Sequence, residues 1–535
     1  MHHYFPSISS RNAFTTNILV MLFFAGIMSV HAQIRSDGCT SITVGKAASF
    51  DGSVMTSHTM DEHNARAWID IQPAKVNKPG SMMTMYRMEE SDSLVMPTYK
   101  EIPIGEIPQA EKTFAYLNTS LPCLNERQLA IGESTFGGRE SLQSDDGLID
   151  LWRLVQILIE RCTTARDAIK LAGELTAKYG WRDVGECLTI ADPKEVWHLE
   201  IVGPGRGKVG SIWAAQRVPD EHVSVNANAS RIRQVDLHKP DYFMASENLT
   251  QVALDSGWWN PRDGAFQFNY AYDPEGRQSL ASRRREWRVL SLLAPSLNLL
   301  PESENYPFSV KPDSQVTLTK IVSIFRDYYE GTDYNPVKNI IWENEEGKCE
   351  ISPLANPFMP YDMLPLFKIN GGWGWRGERT IARWYTMYAH IIQCRDWLPD
   401  AIGGVAWLGL DNVATTLYVP VYSGTTDLPA PYKVPGRVTG YTRESAWWAF
   451  NRLSTLTAQR WGDMRHDVMK VWDPLQRELF DNQKNVEAEF LKLYQKNPKN
   501  AQRSLTEYTM KWASRAVREA WKLGDFLWTK YDEKF

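Results

Sequence analysis

Two short extended segments joined by a turn constrain the start of this fold more than any other feature. The first begins at Cys39 with the alternating run CTSITV, and the second, SVMTSH, ends three residues before Asp61. An Asp-Gly pair lies between them, and glycine next to aspartate between two such runs is a hairpin signal. With the turn centred near residues 49–50, the residue opposite Cys39 is at roughly position 58–61. The sequence therefore predicts a hairpin that returns Asp61 to the side of Cys39.

The segment before this hairpin has the pattern of a secretory signal. A positively charged start is followed by an apolar stretch over residues 18–28 and then by small residues at the spacing that a signal peptidase recognises. The apolar stretch is shorter than the roughly 20 residues of a comfortable bilayer span. We therefore predict a signal peptide over residues 1–32, a short pro-segment over residues 33–38 and an exported protein, periplasmic or extracellular. A membrane anchor through the apolar stretch is the alternative; no later stretch qualifies, so no stable membrane insertion is expected after signal removal.

A cysteine that becomes the N-terminus carries a nucleophile and a base on one residue, namely its thiol and its freed α-amine. Reference pKa values of about 8.5 for the thiol and about 7.7–8.0 for the amine make proton exchange between them nearly balanced near neutral pH. A carboxylate at Asp61 would orient the amine and favour its ammonium form. Taken singly, Cys39 would be a small buried side chain or half of a disulfide, and Asp61 an ordinary acid. Their combination at a processed end predicts covalent thiol catalysis.

Acyl transfer also needs hydrogen-bond donors aimed at a developing oxyanion. Asn226 at the end of a predicted strand, or Asn228 on the same face, could supply a side-chain amide. A backbone N–H near Thr135, in a glycine-rich loop, could supply the second donor. Asparagine at a strand end is more often a turn former. The oxyanion role is therefore predicted only because Cys39 is a candidate nucleophile.

Composition and charge exclude several classes of protein. With 43% hydrophobic and 23% charged residues over 535 positions, the chain is an ordered globular protein. Its net charge of −5 provides no basic surface for nucleic acid. The six cysteines contain no CxxC pair, so a zinc ribbon and a thioredoxin-type motif are unsupported. In an exported protein they invite disulfides, but an odd number remains once Cys39 is set apart, so at least one stays free or pairs between chains. His58, His63 and His198 come with no acidic ligand pattern, so neither a metal nor another cofactor is predicted.

Strands and helices follow one another without a sustained βαβ pattern, which favours an α+β layered fold. Strands are predicted at residues 129–138, 187–191, 196–201 and 223–228, and a helix is predicted from about residue 151. Residues 257–312 are rich in Trp, Pro and Asn, and we interpret them as irregular connections with short helices. After Gly436 the pattern becomes helical, and a capping box from Ser504 to Glu507 predicts the start of the last helix. We predict a catalytic domain over residues 39–435 and a helical segment over residues 436–535 packed on it.

Six runs of the sequence resemble bacterial cysteine dipeptidases of the dipeptidase A type, which are N-terminal nucleophile (Ntn) hydrolases. The runs are CTSITVGKAASFDGS at 39–53, GESTFGGRE at 132–140, ECLTIAD at 186–192, AQRVPDEHVSVNANASRI at 215–232, RTIAR at 379–383 and SAWWAFN at 445–451. Because the runs occur in order along nearly all of the predicted mature chain, the resemblance is specific.

The resemblance implies an αββα four-layer sandwich and hydrolysis of dipeptides through a thioester on Cys39. It implies that Asp61 holds the α-amine, that Asn226 and the Thr135 amide form the oxyanion hole, and that Arg379 is the distal arginine of the site. The wider superfamily has Arg-x-x-Asp where this chain has His58 three residues before its aspartate. Either that imidazole replaces the guanidinium, or another arginine reaches the site.

We therefore expect an exported, metal-independent dipeptidase with a dipeptide substrate, in which His58 and Asn228 contact the substrate. One rival is an amidase of the same chemistry acting on N-acyl substrates, like bile salt hydrolases and penicillin V acylases. A rival of another class is a surface-binding protein that uses its 21 tryptophans as platforms, with Cys39 in a disulfide. A homo-oligomer stays open.

Overall fold

The fold is taken from a computed structural model, which describes residues 38–62, 65–90, 99–358 and 379–534. The predicted signal peptide over residues 1–32 and the pro-segment up to residue 37 lie outside the described residues, as does His63. From Gly38 onward the chain forms one compact unit.

The described strands form two large antiparallel sheets and three two-stranded ribbons. In chain order they are β1 Ser41–Val44, β2 Val54–Met60, β3 Asp70–Gln72, β4 Lys75–Val76, β5 Met82–Glu90, β6 Tyr99–Pro108, β7 Lys112–Thr113, β8 Tyr116–Asn118, β9 Leu124–Asn125, β10 Ala130–Gly137, β11 Gly185–Ala191, β12 Val196–Val202, β13 Ile212–Val218, β14 Val223–Asn226, β15 Phe243–Ala245, β16 Ser309–Val310, β17 Ile341–Glu343, β18 Cys349–Ile351, β19 Tyr388–Cys394, β20 Val405–Leu410 and β21 Val419–Tyr422.

The seven-stranded sheet has the order β16-β14-β1-β2-β19-β20-β21, and the eight-stranded sheet has the order β15-β13-β12-β11-β10-β9-β8-β3. The ribbons are β4 with β7, β5 with β6, and β17 with β18. The two sheets pack on each other through β1 and β2 on one side and β10 to β12 on the other.

The packing of the two sheets buries strand β2 along its whole length, although most of its side chains are polar. Its sequence VMTSHTM contains four polar side chains, yet all seven residues are buried. Two of its hydroxyl groups are hydrogen-bonded: Thr56 Oγ1 lies 2.7 Å from Thr189 Oγ1 of the facing sheet, and Ser57 Oγ donates to the Ile42 carbonyl of the neighbouring strand over 2.9 Å. Buried polar groups cost little when hydrogen-bonded, so the centre of this protein is polar where the two sheets meet.

Ten α-helices lie in the described residues. In chain order they are α1 Leu151–Arg161, α2 Ala165–Tyr179, α3 Gln251–Asp255, α4 Phe268–Tyr272, α5 Leu280–Leu293, α6 Leu318–Phe325, α7 Asp400–Gly403, α8 Ala446–Gln459, α9 Trp461–Lys496 and α10 Pro498–Lys530. Short 3₁₀ turns occur at Glu140–Leu142, Pro261–Asp263, Gly276–Gln278, Pro295–Leu297, Ala430–Lys433 and Arg437–Thr439. Helices α1 and α2 contact the eight-stranded sheet, whereas α5, α8 and α10 contact the seven-stranded sheet. None of the described helices combines the length and the apolar character that a membrane crossing requires.

The mixed α/β fold with antiparallel sheets and a helical C-terminal segment is confirmed, and three local predictions need correction. Strand β14 ends at Asn226 rather than residue 228, because Asn228 has a φ of 65° and turns the chain. Residues 257–312 contain the 14-residue helix α5, longer than expected. The capping box at Ser504 was wrong: α10 begins at Pro498, and the Asn497 side chain accepts hydrogen bonds from the first-turn N–H groups.

Candidate active site

The predicted hairpin brings Cys39 and Asp61 together as the sequence indicates. Thr43 pairs with Thr56, and an isolated bridge joins Thr40 to Thr59. This register places Cys39 opposite the last residue of β2, Met60, and its Sγ lies 4.0 Å from the Met60 Sδ. The cysteine therefore lies just before a central strand of the seven-stranded sheet, and Asp61 lies just after the neighbouring strand.

Asp61 is fully buried and accepts hydrogen bonds on both carboxylate oxygens. Its Oδ1 accepts from Thr386 Oγ1 over 2.6 Å, and its Oδ2 accepts from Thr59 Oγ1 over 3.0 Å. Arg379 Nη2 lies 2.6 Å from the same Oδ2, so the carboxylate belongs to a buried ion pair. A buried ion pair with this many additional hydrogen bonds holds its members in fixed positions.

Arg379 joins this ion pair to the peptide bond that precedes the cysteine. Its Nη1 donates to the carbonyl oxygen of Gly38 over 2.6 Å, and its side chain is 1% exposed. Tyr329 Oη fixes the backbone of this arginine by donating to its carbonyl over 2.8 Å. The guanidinium is thus a positive group held against the carbonyl of the Gly38–Cys39 bond.

A second buried arginine, Arg285 on α5, reaches the same place and was missed in the sequence. Its Nη1 donates to the Cys39 carbonyl over 3.0 Å and to Thr40 Oγ1 over 2.9 Å. Its Nη2 donates to the Ala227 carbonyl over 2.9 Å and to Asn228 Oδ1 over 2.6 Å. Burial, with a contribution from Arg379, lowers the pKa of Arg285 to about 9, so the group is cationic at neutral pH. No local motif marks this residue, and it lies in the segment that was predicted to consist of irregular connections with short helices.

The missing Arg-x-x-Asp motif left two alternatives: His58 replaces the guanidinium, or another arginine reaches the site. The structure shows the second, because Arg379 and Arg285 both reach it. His58 does not contact Asp61 in place of an arginine; Arg379 makes that contact from a distant part of the chain. His58 instead lies against Glu133 of β10, with its Nε2 3.3 Å from Glu133 Oε2.

The three residues predicted to surround an oxyanion lie together near Gly38, engaged with one another. Asn226 is fully buried, and its Nδ2 donates to the Ala229 carbonyl over 3.1 Å. Asn228 Nδ2 donates to the Thr135 carbonyl over 2.6 Å. A Cβ added at Gly38 would lie 2.1 Å from Asn228 Nδ2, so the Asn228 side chain packs directly on the residue before the cysteine.

A buried acidic pair adjoins the thiol, and neither member was identified from the sequence. Glu133 and Glu186 are each 2% exposed. Burial acts to raise the pKa of Glu133, but the neighbouring His58 outweighs it and leaves that pKa below its usual value. Burial and the charge of Glu133 raise the pKa of Glu186 well above its usual value. Glu133 is therefore the more readily ionised member of the pair, and Glu186 is the member that holds its proton more tightly.

The Cys39 thiol is buried among these groups. Burial raises its pKa well above the usual range, and the negative charges of Glu133 and Asp61 raise it further. The thiol is thus protonated while residue 38 is attached, and it needs a base to become a nucleophile.

The donor atoms of Cys39, His58 and Glu133 lie within 4.8 Å of one another, a grouping that the sequence interpretation did not contain. His198, by contrast, lies beside other partners, with Nε2 3.0 Å from Thr43 Oγ1. All six cysteines lie in the described residues, and all are free thiols, so the expected disulfides are not formed in this structure.

Known proteins are similar in sequence to this chain along most of its length. The model of Peptidase family C69 matches residues 38–473. A probable dipeptidase of Latilactobacillus sakei is 26% identical over 450 residues, covering 80% of this chain and 83% of that protein. A probable dipeptidase B of Lactococcus lactis subsp. lactis is 26% identical over 500 residues, covering 89% and 94%. A probable dipeptidase of Salmonella dublin is 24% identical over 396 residues, covering 72% and 81%. The matched family region begins one residue before Cys39 and contains every residue of the site described above.

Proposed function

Because the chain belongs to peptidase family C69, we propose that it is an exported cysteine dipeptidase that acts through a thioester on Cys39. Three relatives that match most of their length to this chain are named probable dipeptidases, which supports a dipeptide substrate. The proposal includes the αββα sandwich of the Ntn hydrolases. Its support is the packing of two antiparallel sheets on each other, with helices against each sheet.

The observation that carries the proposal is the bridge that Arg379 makes between Asp61 and the Gly38 carbonyl. A guanidinium 2.6 Å from a carbonyl oxygen polarises that carbonyl and stabilises negative charge that develops on it. The polarised carbonyl belongs to the peptide bond of the proposed nucleophile. The arrangement is therefore suited to cleaving that bond.

On this proposal the precursor processes itself. Cys39 Sγ attacks the Gly38 carbonyl carbon and forms a C–S bond, and the C–N bond between the two residues breaks. The thiol proton passes to the departing nitrogen, which becomes the free α-amine of Cys39. Water then hydrolyses the thioester and releases the pro-segment.

Dipeptide hydrolysis repeats this chemistry with the freed amine as the general base. The amine takes the thiol proton, Sγ attacks the carbonyl of the dipeptide, and the C-terminal amino acid leaves with that proton. Water cleaves the remaining thioester. In this proposal Asp61, whose carboxylate is paired with Arg379, holds the new amine, while Asn226 and the Thr135 amide remain the proposed oxyanion donors.

The two rivals differ in what supports them. An N-acyl amide hydrolase would use the same thiol chemistry, but the names of the relatives favour dipeptides. A non-enzymatic binder with Cys39 in a disulfide has less support, since Cys39 is a free thiol and Trp447 is buried in the core.

The test combines intact mass with substrate profiling of the purified protein. The parent should lose residues 1–38 and hydrolyse unmodified dipeptides faster than glycine-conjugated acids. Cys39→Ser should retain the pro-segment and lose most activity, because a hydroxyl is a weaker nucleophile at neutral pH. Cys349→Ser, at an exposed thiol, is the matched control and should behave as the parent. An active protein whose N-terminus is Gln33 would contradict the mechanism, and a chain that stays in the cytoplasm would contradict export.

A further inference from the structure

The side chains around Cys39 bring a thiol, an imidazole and a carboxylate to one point. Their donor atoms lie within 4.8 Å of one another, and all three residues are buried. The thioether of Met60 is a fourth donor nearby, with its Sδ 4.0 Å from Cys39 Sγ. These donors come from the start of β1, from β2 and from β10, so both sheets contribute to the group.

His58 Nε2 has no hydrogen-bond partner among the described residues, although it is buried. It lies 3.3 Å from Glu133 Oε2, but that approach lacks the direction of a hydrogen bond. A buried ring nitrogen without a well-directed partner is costly, and here it is aimed at the same point as the thiol and the carboxylate.

The chemistry of the donors selects the ion. A thiolate and an imidazole suit zinc, whereas magnesium and calcium prefer oxygen donors. Three protein ligands leave one position of a tetrahedral zinc site open to water or substrate. Ligands of a tetrahedral zinc ion are roughly 3.5 Å apart, so the donors of Cys39, His58 and Glu133 need to close by only about 1 Å.

We propose that Cys39 Sγ, His58 Nε2 and Glu133 form a reversible inhibitory binding site for a zinc ion. Binding replaces the S–H bond of Cys39 by an S–Zn bond and releases one proton to solvent. The zinc-bound sulfur cannot attack a carbonyl, so occupancy stops the reaction assigned above to Cys39. The inference rests on that proposed function for its consequence, but not for the binding itself.

Binding is measured with zinc and cobalt ions on the full protein carrying Cys349→Ser, because the exposed Cys349 thiol could bind metal by itself. We expect one zinc ion per chain by calorimetry and a cobalt–thiolate charge-transfer absorption. His58→Gln and Glu133→Gln should each weaken zinc binding by more than about a hundredfold, because losing even an outer partner of a ligand costs roughly 10–100-fold. His238→Gln, at an exposed imidazole, is the matched control and should bind as the parent.

Unchanged zinc affinity in either ligand variant would overturn the proposal. If a variant does not fold, X-ray absorption on the zinc-loaded parent decides, with one sulfur expected at about 2.3 Å and lighter donors at about 2.0–2.2 Å. A zinc shell without sulfur also overturns it. Zinc should abolish dipeptide hydrolysis by the parent, and a chelator should restore it. A chain that binds zinc without hydrolysing dipeptides refutes the proposed function alone, and an active chain that does not bind zinc refutes this inference alone.

Discussion

In the proposed self-processing, replacing Gly38 with alanine should slow removal of the pro-segment, because a side chain at this position collides with Asn228. The added Cβ would lie 2.1 Å from Asn228 Nδ2 and 2.5 Å from its Cγ, far inside van der Waals contact. Asn228 cannot yield freely, since its Nδ2 donates to the Thr135 carbonyl and its Oδ1 accepts from Arg285, each over 2.6 Å. The alanine must either displace Asn228 or move the Gly38 carbonyl away from Arg379.

The size of the effect follows from those two hydrogen bonds. Each is worth about 0.5–1.5 kcal/mol net, so moving the Asn228 side chain costs about 1–3 kcal/mol. If that cost is met in reaching the transition state, processing slows by about 5- to 150-fold at 1.36 kcal/mol per factor of ten. Overpacking of a closed site costs a similar amount.

The assay follows conversion of precursor to mature protein by intact mass over time. Gly38→Ala should accumulate precursor, and adding Asn228→Ala should restore its rate to that of the Asn228→Ala variant alone, which is a double-mutant cycle. Once mature, the Gly38→Ala protein should have the parental kcat/KM, because residue 38 has left. Processing of Gly38→Ala at the parental rate, or no coupling between the two positions, would refute the packing argument.

Three further outcomes are expected. Arg285→Lys should lower the thermal midpoint and slow processing, since an ammonium cannot bond the five acceptors that the guanidinium bonds. An unchanged midpoint in a melting curve would contradict this. Asn497→Ala should lower the free energy of unfolding, measured with denaturant, by about 1 kcal/mol, because Asn497 caps α10. Ser504→Ala should lower it much less, and equal losses would count against Asn497 as the cap. Burial raises the pKa of Glu200 to about 7, so the native state keeps a proton that the unfolded chain loses. The free energy of unfolding should therefore fall by up to about 3 kcal/mol as pH rises from about 4.5 to 7. In Glu200→Gln, denaturant unfolding measured across that pH range should show a smaller fall. An equal fall in parent and variant would be evidence against the raised pKa of Glu200.

Elements with local signals were predicted well. The hairpin from Cys39 to Asp61 joins two extended runs through residues 45–53, and its register agrees with the predicted turn centre near residues 49–50. Helix α1 was predicted because Leu151, Leu154 and Leu158 recur at helical spacing, and all three are buried. The predicted start of α10 was wrong because a Ser-x-x-Glu pattern also fits a helix interior, and the helix is already capped by Asn497, with Pro498 in its first turn.

The residues of the candidate site also fall into two groups: those that local sequence patterns predicted and those that come from distant parts of the chain. The sequence by itself determined the position of Cys39, the return of Asp61 and the candidate asparagines, because each lies on or beside a segment with a clear strand pattern. Arg379 was reached only through resemblance, and Arg285, Glu133 and Glu186 were not reached at all.

Only the tertiary structure decided which charges surround the cysteine. Arg379 contacts the Gly38 carbonyl across 341 residues of sequence, and Arg285 contacts the Cys39 carbonyl across 246. No spacing rule connects residues that far apart, because their meeting depends on how the sheets stack and where α5 lies against β14. A hairpin is specified by its own turn, whereas a buried charge finds its partners only when the whole core closes around it.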